Sequence, residues 1–165
     1  MTPQSNTTSR IASWIALASY FIATALIAAL ASSLTDPSTD PWYQSLTLPS
    51  FQPPSIAFPI VWTVLYIAMA YAGWRTWRAS QGAQRRDIVL LYALQLVLNG
   101  LWSAAFFAGN AILLAFTIIT ALWLVLILWT LKARRIDRLA AALFVPYIVW
   151  VSFAAVLNGA ILVLN

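Results

Sequence analysis

The sequence predicts an all-α integral membrane protein, a five-transmembrane-helix bundle with a long Pro/Trp-rich first loop. Of its 165 residues, 62% are hydrophobic and only 8% are charged, whereas a soluble domain carries about 25% charged residues. The mean hydropathy is +0.84, and long apolar runs recur between short polar segments. A chain of this length is expected to form one compact membrane domain.

The composition also disfavours several kinds of chemistry. The chain contains no Cys and no His, and all of its acidic residues are Asp. Disulfides, thiolate ligation and imidazole ligation are therefore excluded. No charged residue lies in the interior of a predicted span, which argues against ion-coupled transport and against acid–base or metal catalysis inside the bundle. We therefore expect no catalytic residues and no metal site, and an enzyme is the less favoured reading.

The first span is predicted at residues 11–34, after a disordered segment at residues 1–10. This apolar run is roughly 36 Å long as a helix, enough to cross a hydrocarbon core of about 30 Å. Arg10 and the Ala29-Leu30-Ala31 sequence also fit a signal peptide, but the apolar region of a signal peptide is only about 7–15 residues long. We therefore interpret the run as a retained helix.

A long loop, residues 35–56, separates the first span from the others. Its Pro49, Pro53 and Pro54 disfavour regular hydrogen bonding, and Pro59 falls where a first helical turn tolerates it. The remaining spans are predicted at residues 57–77, 88–107, 111–131 and 139–164, within a single domain at 11–165.

The charges predict the orientation of the bundle. Five spans place all nine Lys and Arg residues on one side of the membrane, and the positive-inside rule then puts the N-terminus in the cytoplasm and the C-terminus outside. This distribution accounts for the pI of about 10.1 without a nucleic-acid partner. Membrane lipid is the partner that these charges indicate.

Three spans carry stripes of aromatic and amide side chains at helical spacing. If the stripes converge beneath the first loop, they form an apolar, flat-walled site with a few amide donors. The alternative is that the amides only hold helices together. The stripes comprise Phe58, Trp62 and Tyr66 in the second span; Gln95, Asn99, Trp102 and Phe106 in the third; and Tyr147, Trp150, Ala154 and Asn158 in the fifth.

Eight of the nine Trp residues lie in predicted spans and fall into two groups by depth. Trp14, Trp74, Trp77 and Trp129 lie at the cytoplasmic ends of spans, where an interfacial aromatic belt explains them. The others include Trp123 and Trp150 near mid-depth and Trp62 and Trp102 in the outer halves of their spans. These four lie too deep for a belt.

The aromatic segments resemble the signature of a known family. Trp42-Tyr43, the prolines from Pro49 to Pro54 and the segment from Phe58 to Tyr66 resemble the TspO family. This family comprises the tryptophan-rich sensory proteins of bacteria and the related mitochondrial translocator protein, or peripheral benzodiazepine receptor. The segments from Gln95 to Phe107 and from Pro146 to Asn158 are similar to the third and fifth helices of the family.

The resemblance implies a five-helix bundle that forms a homodimer and binds porphyrins, protoporphyrin IX or haem, as ligands rather than as obligatory cofactors. It implies sensing, regulation or transport of porphyrins. The alternatives are a porphyrin-degrading photochemical enzyme and a non-catalytic structural or partner-binding membrane protein. The charge pattern favours the bacterial inner membrane, for which the positive-inside rule holds, and the outer membrane, reported for some members of the family, is the alternative.

The family pocket lies between the helices under the first loop, and its residues carry over as Trp42, Tyr43, Trp62, Asn99, Trp102 and Trp150. Together with the stripes, the candidate ligand-binding residues are Trp42, Tyr43, Phe58, Trp62, Tyr66, Gln95, Asn99, Trp102, Phe106, Tyr147, Trp150, Phe153 and Ala154.

Two departures from the family pattern bear on the ligand. Phe153 stands where many relatives have a small residue, often Ala, so we expect either a narrower pocket or a different position of the ligand. The segment from Val156 to Asn165 lacks the Tyr and the basic residue that vertebrate members are thought to use for cholesterol, so the resemblance does not extend to sterol binding.

Small residues suggest where a dimer would form. Gly100 and Ala104 are a small-xxx-small pair in the third span, which permits close approach of two backbones. Ala155 and Gly159 in the fifth span are the alternative surface.

Overall fold

The computed structural model describes residues 4–35 and 40–165, which contain five helices long and apolar enough to span a membrane. No strand occurs within these two ranges. The predicted all-α membrane fold with five spans is therefore confirmed. The spans are α1 (Gln4–Leu34), α3 (Ala57–Ala79), α4 (Gly82–Ser103), α5 (Ile112–Arg134) and α6 (Arg138–Leu164), and a short helix, α2 (Pro41–Ser45), lies in the first loop.

Several helices extend beyond the apolar runs that predicted them. α1 begins at Gln4, inside the segment predicted to be disordered, while residues 1–3 lie outside the described residues. α4 begins at Gly82 instead of 88, and α5 continues to Arg134 instead of ending at 131. Arg and Gln favour helices, and a helix need not end where the hydrocarbon ends. The links between α3 and α4 and between α5 and α6, which the predicted spans leave as stretches rich in Arg and Lys, are therefore shorter than expected.

The helices pack in the cyclic order α1, α3, α6, α5, α4, with α4 closing the ring against α1. Side chains of α3, α4 and α6 consequently face a common interior. The main core of buried side chains lies there, and it includes Leu65, Met69, Tyr92, Phe144 and Tyr147.

One end of the bundle, which we call the basic end, carries the interhelical ion pairs. The Arg75 guanidinium of α3 lies 2.7 Å from the carboxylate of Asp137, just before α6. Lys132 of α5 lies 2.9 Å from the carboxylate of Asp87 in α4. The Trp74 indole donates to the Ser13 carbonyl in α1 at 3.0 Å. These contacts bring the start of α1 and both basic links to the same end, as the charge pattern predicts.

The opposite end, the loop end, is formed by residues 40–56, the α4–α5 turn and Asn165. α2 starts where the Asp40 carboxylate accepts the Trp42 amide at 2.9 Å, with Pro41 in its first turn; both are favourable at a helix start. α4 continues into a π-helical turn, Ala104–Ala108, of the kind often found at functional sites.

The predicted dimer seam on Gly100 is wrong, because Gly100 is buried inside the protomer. A Cβ built there would lie 3.7 Å from Ile27 in α1, so the small residue serves packing between α4 and α1. On the alternative surface, Gly159 packs closely against Phe116 of α5. In both cases the small residue admits a neighbouring helix of the same chain.

Candidate functional site

A hydrogen-bonded chain of three side chains joins α3, α4 and α6 in the bundle interior. The Tyr66 hydroxyl donates to Asn99 Oδ1 at 2.9 Å, and Asn99 Nδ2 donates to the Tyr147 hydroxyl at 3.0 Å. Asn99 and Tyr147 are buried. Because hydrocarbon offers no other partners, this chain fixes the mutual orientation of the three helices.

Two indoles cover the loop-end side of this chain. Trp62 stacks on Tyr66 with ring centroids 5.2 Å apart and contacts Tyr147 edge-on at 6.0 Å. Trp150 stands perpendicular to Trp62 at 6.5 Å, and Phe58 contacts Trp150 at 5.8 Å. We call Phe58, Trp62, Tyr66, Asn99, Tyr147 and Trp150 the inner cluster. Its rings touch one another, so a flat ligand must separate them to enter.

A second group of aromatics, the outer cluster, lies nearer the loop end and comprises Trp42, Tyr43, Trp102, Phe106 and Phe107. Trp102 stacks on Phe106 at 6.0 Å, and its indole donates to Asn158 Oδ1 of α6 at 3.2 Å. Trp42 meets Phe106 edge-on at 5.6 Å. Trp102 packs against the main core and also against a second group of buried side chains at the loop end, which includes Tyr43, Phe106 and Leu157. It therefore lies between the inner and outer clusters.

The first loop is fastened over these clusters by specific contacts. The Tyr43 hydroxyl accepts a hydrogen bond from Gln52 at 3.0 Å. Burial raises the pKa of Tyr43 above its ordinary value, while this hydrogen bond acts in the opposite direction. Asn165 accepts the Thr47 amide at 2.9 Å and donates to the Thr47 carbonyl at 3.2 Å, so the loop is held to the end of α6.

Phe153 links the loop to the inner cluster. It contacts Trp150 at 5.7 Å and Phe51 of the loop at 6.3 Å. A smaller residue here would leave a gap between the loop and Trp150, so Phe153 narrows the space in which a ligand could lie.

The indole N–H groups divide into bonded and free. Trp74, Trp102, Trp123 and Trp129 all donate hydrogen bonds to other parts of the bundle. The indole N–H groups of Trp42, Trp62 and Trp150 have no acceptor among the described residues. These three side chains are half-buried and lie in the loop-end half of the bundle, so their N–H groups can serve a ligand there. The indole N–H groups of Trp14 and Trp77 also lack an acceptor among the described residues, but they lie toward the basic end.

Gln95 also lies in the interior, one helical turn from Asn99. Its side chain is 0% exposed, and neither amide atom has a hydrogen-bond partner in the part of the chain that the structure describes. Gln95 therefore lies in the core, but no hydrogen bond joins it to the inner cluster in the described residues.

A cleft of about 200 Å³ lies apart from this interior, between α1 and α3. It opens on the outer surface of the bundle and is lined by Phe21, Thr24, Ala25, Ala28, Thr63, Tyr66, Ile67 and Ala70. Of the candidate residues, only Tyr66 borders it.

The structure places the candidate residues in adjacent groups at one half of the bundle. The inner cluster holds six of them and the outer cluster holds Trp42, Tyr43, Trp102 and Phe106, while Phe153 and the buried Ala154 lie beside Trp150 on α6 and Gln95 lies deeper. Two residues that take part in these contacts were not among the candidates predicted from the sequence. Gln52 gave no sequence signal, and Phe107 follows Phe106 directly, a spacing that normally turns one residue away.

The predicted interfacial role of Trp129 is wrong. Its side chain is 0% exposed, stacks on Phe144 at 3.7 Å and donates to the Ile88 carbonyl at 3.2 Å. Trp129 does lie near the basic end of α5, as predicted, but its side chain points into the bundle and not toward the membrane interface. Trp14, in contrast, is 69% exposed, as expected for a residue facing lipid or headgroups.

The fold and the site define a tryptophan-rich membrane protein with a five-helix bundle and aromatic clusters beneath its first loop. A sequence model of the TspO/MBR family matches residues 12–164, and the chain belongs to this family. It is 39% identical to the tryptophan-rich protein TspO of Chlorobaculum tepidum, over 85% of this chain and 90% of that protein.

Other relatives connect bacterial and animal members. The chain is 33% identical to the tryptophan-rich sensory protein of Cereibacter sphaeroides, over 76% of this chain and 78% of that protein. It is 32% identical to the human translocator protein, over 71% of this chain and 70% of that protein. Family membership supports a membrane sensory or translocator role.

Proposed function

We propose that this protein binds a tetrapyrrole, protoporphyrin IX or haem, between α3, α4 and α6 beneath the first loop, and acts in sensing, regulation or transport of porphyrins. The carrying observation is that Trp62 and Trp150 border the Tyr66–Asn99–Tyr147 chain with indole N–H groups that have no acceptor among the described residues. A porphyrin is a broad aromatic plate, which suits indole faces.

The inner cluster offers both stacking and neutral hydrogen bonding to such a plate. Indole N–H groups and the Asn99 amide can donate to the oxygen of a protonated propionic acid group or of another carbonyl. No Lys or Arg occurs in residues 40–56 or at the α4–α5 turn, so the loop end supplies no cation for a carboxylate. We therefore expect shape and stacking to dominate the affinity.

The same reasoning predicts weak discrimination between haem and the metal-free porphyrin. The chain has no His and no Cys, which are common axial ligands of haem iron. Without such a ligand the iron adds little to binding. Comparable affinities for protoporphyrin IX and haem would fit this proposal.

The direct test is a titration of the purified protein with protoporphyrin IX, with haem and a sterol run in parallel. Binding should quench Trp fluorescence. Trp62→Phe and Trp150→Phe should each weaken porphyrin affinity by about 5- to 150-fold, the range for loss of one aromatic stacking partner. Trp14→Phe is the matched control, because Trp14 is on the exposed surface, and it should leave the affinity unchanged.

Equal losses in all three variants, or no loss in any, would exclude the inner cluster as the binding site. Failure of the wild-type protein to bind either tetrapyrrole would instead favour a structural or partner-binding role for the whole protein.

We also propose that the basic end faces the cytoplasm of a bacterial cell, across the inner membrane. All nine basic residues belong to the basic end or to the helix termini that reach it, so the positive-inside rule gives one orientation. A periplasm-active reporter fused after Asn165 should be active and a cytoplasm-active reporter should be silent. The reverse pattern would overturn the orientation.

A homodimer remains part of the proposal, with a lipid-facing surface as its interface. Leu90, Leu94, Val97 and Leu101 form an exposed stripe along α4, on a different face from the buried Gly100. The mass of the protein in mild detergent, by light scattering with the detergent subtracted, distinguishes a dimer from a monomer.

A further inference from the structure

Gln95 is a buried amide that the protein itself does not satisfy. Both of its polar side-chain atoms lack a partner in residues 4–35 and 40–165, and its side chain is 0% exposed. An amide without hydrogen bonds in an apolar interior carries a free-energy penalty. A nonprotein group that completes its hydrogen bonds would remove this penalty.

The neighbours of Gln95 define where that group would lie. On α4, Gln95 is between Tyr92, whose ring contacts Phe144 of α6 at 6.4 Å, and Asn99, which donates to Tyr147 of α6 at 3.0 Å. Because α4 and α6 run in the same direction, Gln95 lies at a depth between Phe144 and Tyr147. Among the polar side chains of α6, Tyr147 is therefore the closest to Gln95 in depth along the bundle.

The direction of the hydrogen-bonded chain leaves Tyr147 with a free donor. Tyr66 donates to Asn99, and Asn99 donates to Tyr147, so the Tyr147 oxygen accepts while its own O–H has no acceptor among the described residues. Gln95 adds an unused N–H donor pair and an unused carbonyl acceptor. The two side chains together can serve a group that both donates and accepts.

That group must be neutral. All basic residues lie toward the basic end, and the inner cluster contains only aromatic and amide side chains. An ionised carboxylate placed here would be an unpaired buried charge, which is strongly unfavourable. A water, a protonated carboxylic acid or an amide can bond to Gln95 without that penalty.

We propose that Gln95 and Tyr147 form an internal binding point for a small neutral donor–acceptor group. In the ligand-free protein this group is a water molecule, and in the liganded protein it is the neutral polar end of a porphyrin substituent. The second half rests on the proposed porphyrin function; the first half does not.

The water is tested in the ligand-free protein by thermal unfolding in detergent. If a water satisfies Gln95, Gln95→Met removes a completed set of hydrogen bonds and should leave Tm unchanged or lower it. If the amide is unsatisfied, Met relieves its desolvation and Tm should rise. Leu96→Met, the adjacent buried residue of α4, controls for placing Met in this core.

A second measurement needs no variant of Gln95. Difference infrared spectra of the wild-type protein in water and in 18O-labelled water should show an O–H band of an internal water, and Tyr147→Phe should shift or abolish it. A rise in Tm for Gln95→Met, or the absence of such a band from the wild-type spectrum, would overturn the water site.

The ligand half is tested with two neutral derivatives of protoporphyrin IX, its diamide and its dimethyl ester. The amide can donate and accept, whereas the ester can only accept. Gln95→Met should weaken diamide binding about tenfold, the scale of one net hydrogen bond, and should affect the ester less. Equal effects on both derivatives, or no effect on the diamide, would overturn the ligand half. If neither derivative nor the parent porphyrin binds the wild-type protein, the proposed function fails, and the stability and infrared measurements still decide the water site.

Discussion

At the scale of single residues, the tryptophan side chains have two kinds of environment. Trp102 and Trp129 each stack on a Phe ring and donate a hydrogen bond to another helix. Trp62 and Trp150 stack or pack edge-on, but their N–H groups have no acceptor among the described residues. The first kind holds helices together, and the second kind keeps a donor available for a ligand.

Trp129→Phe should therefore destabilise the bundle. The substitution removes the indole hydrogen bond to the Ile88 carbonyl and opens space against Phe144, which together should lower the free energy of unfolding by about 1–3 kcal/mol. Thermal unfolding in detergent measures the loss. Trp14→Phe, at an exposed site, should change the unfolding temperature little. Equal effects of the two substitutions would contradict a buried packing role for Trp129.

At the scale of the helices, α4 is the element on which the site is built. It supplies Asn99, Gln95 and Trp102 to the interior, and its π-helical turn sends both Phe106 and Phe107 to the aromatic cluster under α2. The same helix meets α1 through the buried Gly100. A shift of α4 would therefore alter its contacts with the first loop and its contacts with the inner cluster at the same time.

Close approach of aromatic rings to α3 depends on Gly73. A Cβ at this position would lie 2.6 Å from the Tyr20 ring and 2.7 Å from the Tyr92 ring. Gly73→Ala should lower the free energy of unfolding by about 1–3 kcal/mol, the usual penalty for overpacking a core. Gly100→Ala is the control, since its Cβ would meet Ile27 at an ordinary 3.7 Å and Ala favours helix. Unfolding curves in detergent should separate the two, and equal stability would contradict the close contact at Gly73.

Periodicity along each helix made much of this predictable. Apolar runs gave the five spans, and the spacing of Trp62, Asn99 and Trp150 correctly indicated one interior. The direction in which Trp129 points was missed, because depth and composition do not distinguish an inward face from the interface. The π-helical turn at Ala104–Ala108 was also not predicted, since the sequence there carries no local signal that distinguishes it from an α-helix. Which indoles keep a free N–H depends on partners from distant helices.

At the scale of the whole molecule, the two ends of the bundle are held together differently. The loop end uses aromatic contacts and the Thr47–Asn165 hydrogen bonds. The basic end uses the Arg75–Asp137 and Asp87–Lys132 ion pairs. The ion pairs of the basic end should therefore make the stability of the protein depend on pH in the acidic range.

Asp137 gives that dependence a definite sign. Partial burial acts to raise the pKa of Asp137, but hydrogen bonds from the Ala140 amide and the Arg75 guanidinium outweigh it, so the pKa lies below its ordinary value of 3.8. The stability from this carboxylate is present above about pH 4 and is lost as the pH falls through the lowered pKa. Tm of the wild-type protein should fall over that range, and Asp137→Asn should be less stable at pH 7 and lose less on acidification. If Tm falls by the same amount on acidification in Asp137→Asn as in the wild-type protein, Asp137 is not the cause of the acid dependence.

The central claim is that a porphyrin lies between Trp62 and Trp150. The most direct measurement is brief illumination of the protein with bound protoporphyrin IX, followed by mass-spectrometric mapping of how fast each Trp is oxidised, because a photosensitiser damages its nearest neighbours first. The account predicts that Trp62 and Trp150 are oxidised fastest, while Trp14 on the exposed surface and Trp129 in the far core react slowly. Fastest oxidation at Trp14, with Trp62 and Trp150 no faster than Trp129, would place the porphyrin outside the bundle and contradict the account.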